Sequence, residues 1–182
     1  MKKITEVYVL AAFFAFLTVA ATPAQEPAAA PKPGPEHEKM AYFVGKWKSE
    51  GDTKASAFGP AGKFTFTETC DWLPGKFALL CKSEGNMMGG EYHALSVMSY
   101  DVEEKAYIYF ETNNWGENIY SHGSVDGDTW TWANESKVNG KTVRGRFTLK
   151  RVTADTATYT FDLAMGSDQL ANVMEGKQTR QK

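Results

Sequence analysis

The chain has 182 residues, 42% of them hydrophobic and 23% charged, with a formal net charge of −2. That balance suits a globular protein with a real core and gives no basic face of the kind a nucleic-acid binder needs. With only two cysteines and three histidines, neither a disulfide-dense scaffold nor a multi-cysteine zinc framework is available.

The N-terminus has the pattern of an export signal over residues 1–24. Lys2 and Lys3 form a basic start, and an apolar run follows from Val7 to about Ala21. The run is the length of a signal core and short for a membrane span of about twenty residues. Small residues then offer cleavage after Ala24, or alternatively after Ala21. The pattern is of bacterial type and places the mature protein in the periplasm or outside the cell, with no membrane span of its own. Residues 25–35 read QEPAAAPKPGP, with four prolines that oppose both helix and sheet, and so form a linker. The remaining residues, 36–182, are enough for one domain and too few for two.

Glu36 to Val44 reads as a short helix, because Pro35 suits a first turn and Met40, Phe43 and Val44 share a face. Beyond Gly45 the apolar period becomes two. Phe64, Phe66, Cys70 and Trp72 alternate with threonines and Asp71, and Trp130 and Trp132 alternate with Thr129 and Thr131. Val143, Phe147 and Leu149 form a third such face, and Tyr159, Phe161 and Leu163 a fourth. Turn signals separate the runs at Pro74-Gly75, Gly89-Gly90, Asp101 to Lys105, Asn114 to Glu117, Asp126 to Asp128, Asn139-Gly140 and Thr153 to Asp155. The spacing predicts an all-β fold of about ten strands linked by hairpins, an antiparallel up-and-down β-barrel. An antiparallel sandwich has the same periodicity.

Cys70 and Cys81 lie on the apolar faces of consecutive strands. A four-residue loop from Pro74 to Phe77 pairs Leu73 with Ala78, and so sets Cys70 opposite Cys81, Trp72 beside Leu79 and Glu68 beside Ser83. Directly opposed residues are close enough for a disulfide, which an oxidising compartment favours. The absence of a Cys-x-x-Cys pair argues against a redox-catalytic use.

The short helix, YFVGKWKSEG (Tyr42 to Gly51), the FGPAGKF loop and the tryptophan-turn hairpin follow in a distinctive order. MSYDVEEKAYIYF (Met98 to Phe110), VDGDTWTW (Val125 to Trp132) and VMEGKQTR (Val173 to Arg180) continue it. In this the chain resembles the bacterial calycin-like family classed as domain of unknown function fifteen seventy-nine. Its FGPAGKF loop departs from the family's Pro-Gly-Gly-Pro form. The resemblance implies a lipocalin-like barrel with a central cavity, related to fatty-acid-binding proteins. It also implies a structural clasp at the closed end, in which Gly45 and Trp47 meet a basic residue of the last strand, Arg180 or Lys177. The resemblance supplies no activity.

No serine-nucleophile motif, phosphate loop or metal-ligand spacing stands out, and no cofactor is indicated. His37, His93 and His122 are scattered. Haem-holding relatives use a histidine on a late strand, and none follows His122; Met165 and Met174 read as core. A binding module fits better, with a small hydrophobic ligand as partner. If the apolar faces line the barrel, the ligand-lining residues are Phe66, Glu68, Trp72, Trp130, Trp132, Tyr159 and Phe161, with Phe64 nearby. Glu68 is the one carboxylate on that face. The faces carrying Tyr107, Tyr109 and Glu111, and Tyr120 and His122, have no assigned side. A filled structural or protein-interaction barrel displaying the Asn113 to Gly116 tip is one alternative. A hydrolase or isomerase using Glu68 or His122 is another. The oligomeric state is not legible.

Overall fold

Strict two-residue alternation leaves a chain of strands with one apolar side each, and such strands bury that side most completely when the sheet closes on itself. A computed structural model describes residues 31–182 apart from 58, 167 and 168, so the expected signal and most of the linker lie outside the described residues. Among the described residues the first elements are α1 (Pro35–Lys39) and a 3-10 turn (Met40–Phe43). Ten strands follow: β1 (Gly45–Thr53), β2 (Gly62–Trp72), β3 (Ala78–Met87), β4 (Gly90–Asp101), β5 (Ala106–Asn113), β6 (Asn118–Asp126), β7 (Thr129–Val138), β8 (Lys141–Arg151), β9 (Thr156–Met165) and β10 (Ala171–Gln181). Each pairs antiparallel with the next, and β10 returns to β1, so the sheet is a closed barrel without edges. The sandwich alternative is thereby set aside. No helix among the described residues is long and apolar enough to cross a membrane.

The expected single helix from Glu36 to Val44 is instead α-helical for five residues and then tightens to 3-10 geometry, with Val44 already extended. The tightening has a local cause: the chain must turn sharply into β1, and Val44 N donates to Ala41 O three residues back. This segment plugs one end of the barrel. Met40, Tyr42 and Phe43 are buried in the main core. Phe43 stands edge-on to Trp130, 5.0 Å between centroids, and Trp130 stacks on Trp132 at 5.5 Å. His37 is buried in the plug, where its Nδ1 accepts from Gly34 N at 3.2 Å and its ring meets Phe77 and Tyr100 edge-on. It is a core histidine with satisfied contacts.

One arginine ties the plug to the seam of the barrel. Register places Trp47 on β1 opposite Arg180 on β10. The Arg180 guanidinium lies 4.2 Å over the Trp47 ring. It donates to Val44 O at 2.5 Å, to Tyr42 O at 2.9 Å and to Asp155 Oδ1 at 3.0 Å. Trp47 Nε1 in turn donates to Phe43 O at 3.0 Å. Gly45 has φ +108°, and a Cβ there would lie 3.1 Å from Arg180 Nη1, so both backbone and space call for glycine. The clasp is formed by Gly45, Trp47 and Arg180, and Lys177 pairs with Glu50 elsewhere along the seam.

The β2–β3 hairpin has the register expected of its four-residue loop. Leu73 N donates to Ala78 O at 2.9 Å, and pairing continues through Trp72 with Leu79 to Cys70 with Cys81. Counting back from that hydrogen-bonded pair, Cys70 and Cys81 fall at a narrow, non-hydrogen-bonded position. They form a disulfide with Cα atoms 4.1 Å apart.

Two stability changes follow. Removing the side chain in Arg180→Ala leaves two part-buried carbonyls without their donor and uncovers the Trp47 ring, and should cost about 2–4 kcal/mol in denaturant unfolding. Asp155→Ala, on the exposed side of the same guanidinium, should cost under about 1 kcal/mol; equal losses would contradict the clasp. Reducing the disulfide should lower stability by about 2–3 kcal/mol, and free thiols on both cysteines of protein prepared under oxidising conditions, read by mass without reduction, would contradict the bond.

Candidate functional site

The barrel interior holds a cavity of about 400 Å³, within the usual size of small-molecule sites. Phe43 of the plug and Trp132 form its floor, and Met87, Met88, Trp115, Ile119, Val173 and Met174 stand around its open end. Trp132 lies flat over Gly123, where a Cβ would come within 2.4 Å of the indole. That missing side chain lets the ring lie back against the wall and keeps the lumen open above it. Trp115 turns its ring onto Tyr92, 5.3 Å away, and donates from Nε1 to Glu91 O. The Asn113 to Gly116 tip therefore forms part of the rim.

The lumen is two-sided. Along β7, β8 and β9 the wall is Trp132, Phe147, Leu149, Tyr159, Phe161 and Leu163, with Asn134 near the rim. It carries no charged side chain. From β10 round through β1 to β6 the wall carries Gln178, Ser49, Glu68, Ser83, Tyr109, Glu111 and Ser121, with Phe66 and Met98 among them. Strand parity produces this arrangement: Ser49 sits opposite Gln178, Glu68 opposite Ser83 and Ser96 opposite Glu111.

The two carboxylates are held differently. Glu111 takes a phenol on each oxygen: Tyr92 donates to Oε1 and Tyr109 to Oε2, both at 2.6 Å. Burial, reinforced by the Glu111 charge, pushes both phenols well above their ordinary range, so they remain donors. Glu68 accepts from Ser83 Oγ at 3.1 Å through Oε2. Its Oε1 lies 3.3 Å from Cys70 Sγ, but a disulfide sulfur has no proton to give. Burial pushes the Glu68 carboxyl up to about 7, opposed by the Ser83 hydrogen bond and assisted by the Glu111 charge. Glu68 with Cys70 and Cys81 is the one close group of three metal-ligand types among the described residues. The disulfide takes up both sulfurs, which leaves no metal-binding set.

Of the residues expected to line the lumen, Phe66, Glu68, Trp132, Tyr159 and Phe161 do so. Trp72 and Trp130 do not. They lie on the inward face but at the plug end of their strands, where Trp130 is 1% exposed and packed against Phe43 and Tyr107. Glu111 and its tyrosines were without an assigned side, and they point inward. Tyr120 and His122 point outward. His122 meets Glu104 at 3.0 Å on the barrel's outer surface, so it stands apart from Glu68 and shares no acid–base site with it.

Because the folded barrel raises Glu68, it retains a proton that the unfolded chain has released. The stabilising contribution is complete below the unfolded value of 4.5 and is lost as pH rises through about 7. The isosteric Glu68→Gln variant should therefore gain about 2–3 kcal/mol over the parent between about pH 5 and pH 8, measured by urea unfolding at each pH. A constant difference across that range would contradict an enclosed, uncompensated carboxyl.

The comparisons bear on the fold and family. No curated protein matches the sequence. Among solved structures, the barrel is similar to Rv2717c from M. tuberculosis, with TM-score 0.58 and 13% identity over 82% of this chain and 99% of that one. It is also similar to the S-type phycobiliprotein lyase CPES from Guillardia theta, with TM-score 0.56 and 11% identity over 81% of this chain and 93% of that one. At such identities the likeness is one of fold. The model of the family described as "Protein of unknown function (DUF1579)" matches residues 32–180, and the chain belongs to that family.

Proposed function

We propose that the barrel binds a small apolar or amphipathic molecule in its lumen, and that it does so outside the cytoplasm. The observation that carries the reading is the cavity of about 400 Å³, walled by aromatic side chains and opening through a rim of mainly apolar residues with Lys54 and Glu117 among them. Phe66, Trp132, Tyr159 and Phe161 supply the contact area, and Glu68 supplies a polar anchor. A filled structural barrel has no need to hold such a space open, since close-packed interiors leave few voids larger than water. The fold shared with a phycobiliprotein lyase is in keeping with a lumen used for small molecules. Export is supported by the basic and apolar N-terminal pattern and by the Cys70–Cys81 disulfide.

Native mass spectrometry of the mature protein, purified from its source without denaturation, tests the binding. A mass excess that disappears on unfolding is expected. The Ile119→Trp variant, which narrows the rim while sparing the plug, should lower that occupancy by about tenfold. Ligand-free protein from every preparation, together with no response to a panel of apolar probes, would contradict the reading.

A further inference from the structure

A ligand's chemistry has to match the walls that meet it, and here the walls differ in kind. The apolar β7–β9 side offers a broad face of rings and no charge. The opposite side offers two carboxylates within the lumen, Glu68 and Glu111, with a third, Glu117, at the rim, and no lysine, arginine or histidine accompanies them below the rim. Lys54 stands at the rim and is paired with Glu175 at 3.5 Å. Glu111 has a phenol on each oxygen, whereas Glu68 Oε1 faces a sulfur without a proton. Trp132 Nε1 and the Tyr159 hydroxyl on the ring wall also lack a hydrogen-bond partner, but both are neutral; Glu68 Oε1 is the carboxylate oxygen below the rim that has no donor, on the wall opposite the rings.

We propose that the lumen selects an amphipathic molecule bearing a protonated nitrogen, with its apolar, preferably flat, body against β7–β9 and its N–H directed at Glu68 Oε1. This rests on the lumen-binding reading and narrows it to a class. A cation beside Glu68 supplies the missing donor and the missing charge, and so removes the cost of burying an ionised carboxylate. A carboxylate ligand meets like charge on the same wall and is rejected. A neutral alcohol can donate its O–H to the same oxygen but brings no charge to offset the carboxylate's.

The titratable groups facing Glu68 are Glu111 and Tyr109 on β5, Tyr92 on β4 and Tyr159 on β9; Ser83 on β3, and Ser49 and Gln178 on β1 and β10, are polar but uncharged. The tyrosines stay protonated, held up by burial. Glu68 therefore governs how binding of a cation changes with pH near neutrality. A cation prefers the ionised carboxylate, so its affinity rises as pH rises through about 7.

The test uses three probes of one shape with the mature protein: 2-naphthylmethylamine, 2-naphthylmethanol and 2-naphthoate, titrated calorimetrically at about pH 8. The amine should bind about tenfold or more tighter than the alcohol, and the acid most weakly. In Glu68→Gln, which keeps an acceptor oxygen and removes the charge, the difference between amine and alcohol should disappear. In the parent protein, which needs no variant to fold, the amine's advantage should shrink by about tenfold on going to about pH 5.5. If the acid binds as well as the amine, or the amine's advantage survives both Glu68→Gln and the lower pH, this proposal is overturned while lumen binding stands. Should none of the three bind, both fail.

Discussion

Closure of the sheet at the β1–β10 seam is the constraint on which the rest of the molecule depends. Ten antiparallel strands, each apolar on one side, have no other arrangement here that buries every inward face and leaves no edge. The seam is also where the plug is fastened. Arg180 reaches from the last strand to the carbonyls of Tyr42 and Val44, covers the Trp47 ring and pairs with Asp155. One side chain thus links the plug, β1, β10 and the β8–β9 turn. Because the plug is held there, Phe43 becomes a floor and the space above it becomes a lumen with one open end.

The lumen's character follows from which strands meet around it. The strands β7 to β9 contribute rings and no charge, whereas the other seven contribute serines, an amide and the carboxylates of Glu68 and Glu111, interspersed with Phe66, Tyr92, Met98 and Tyr109. Glu111 is made comfortable by two phenols that burial keeps protonated. Glu68 has only Ser83 and is correspondingly raised toward neutrality. Two acidic residues in one cavity therefore play different parts: one is finished internally, and the other remains open to whatever enters. The disulfide next to Glu68 fixes the register that brings Glu68 opposite Ser83, while contributing no donor of its own.

Much of this architecture was legible in the sequence, and what was not has a physical reason. The β2–β3 register was readable because a four-residue turn fixes parity and the two cysteines leave one sensible pairing. The clasp was readable through resemblance, on the order of YFVGKWKSEG and VMEGKQTR. Trp72 and Trp130 were given the right side of the sheet but the wrong height, because a two-residue period says which way a side chain points and nothing about its depth along the barrel. Glu111 was missed for a different reason. On β5 the face of Tyr107, Tyr109 and Glu111 competes with an equally apolar face of Ile108 and Phe110, and Phe110 is the one left 39% exposed. Only packing against Trp130 and the register with β4 decide between them. Tyr109 two residues from Glu111 was the available signal, since phenols partner buried carboxylates well; the second phenol, Tyr92, comes from β4.

The central claim is that the barrel keeps an open, two-sided lumen with Glu68 as its unfilled acceptor. A crystal structure of the mature protein, purified under native conditions, tests it most directly. The account predicts electron density in the cavity between the β7–β9 rings and Glu68, with a donor atom within hydrogen-bonding distance of Oε1. A lumen closed by inward rotation of Phe66, Trp132 or Tyr159, or a Glu68 satisfied by another protein side chain, would contradict it.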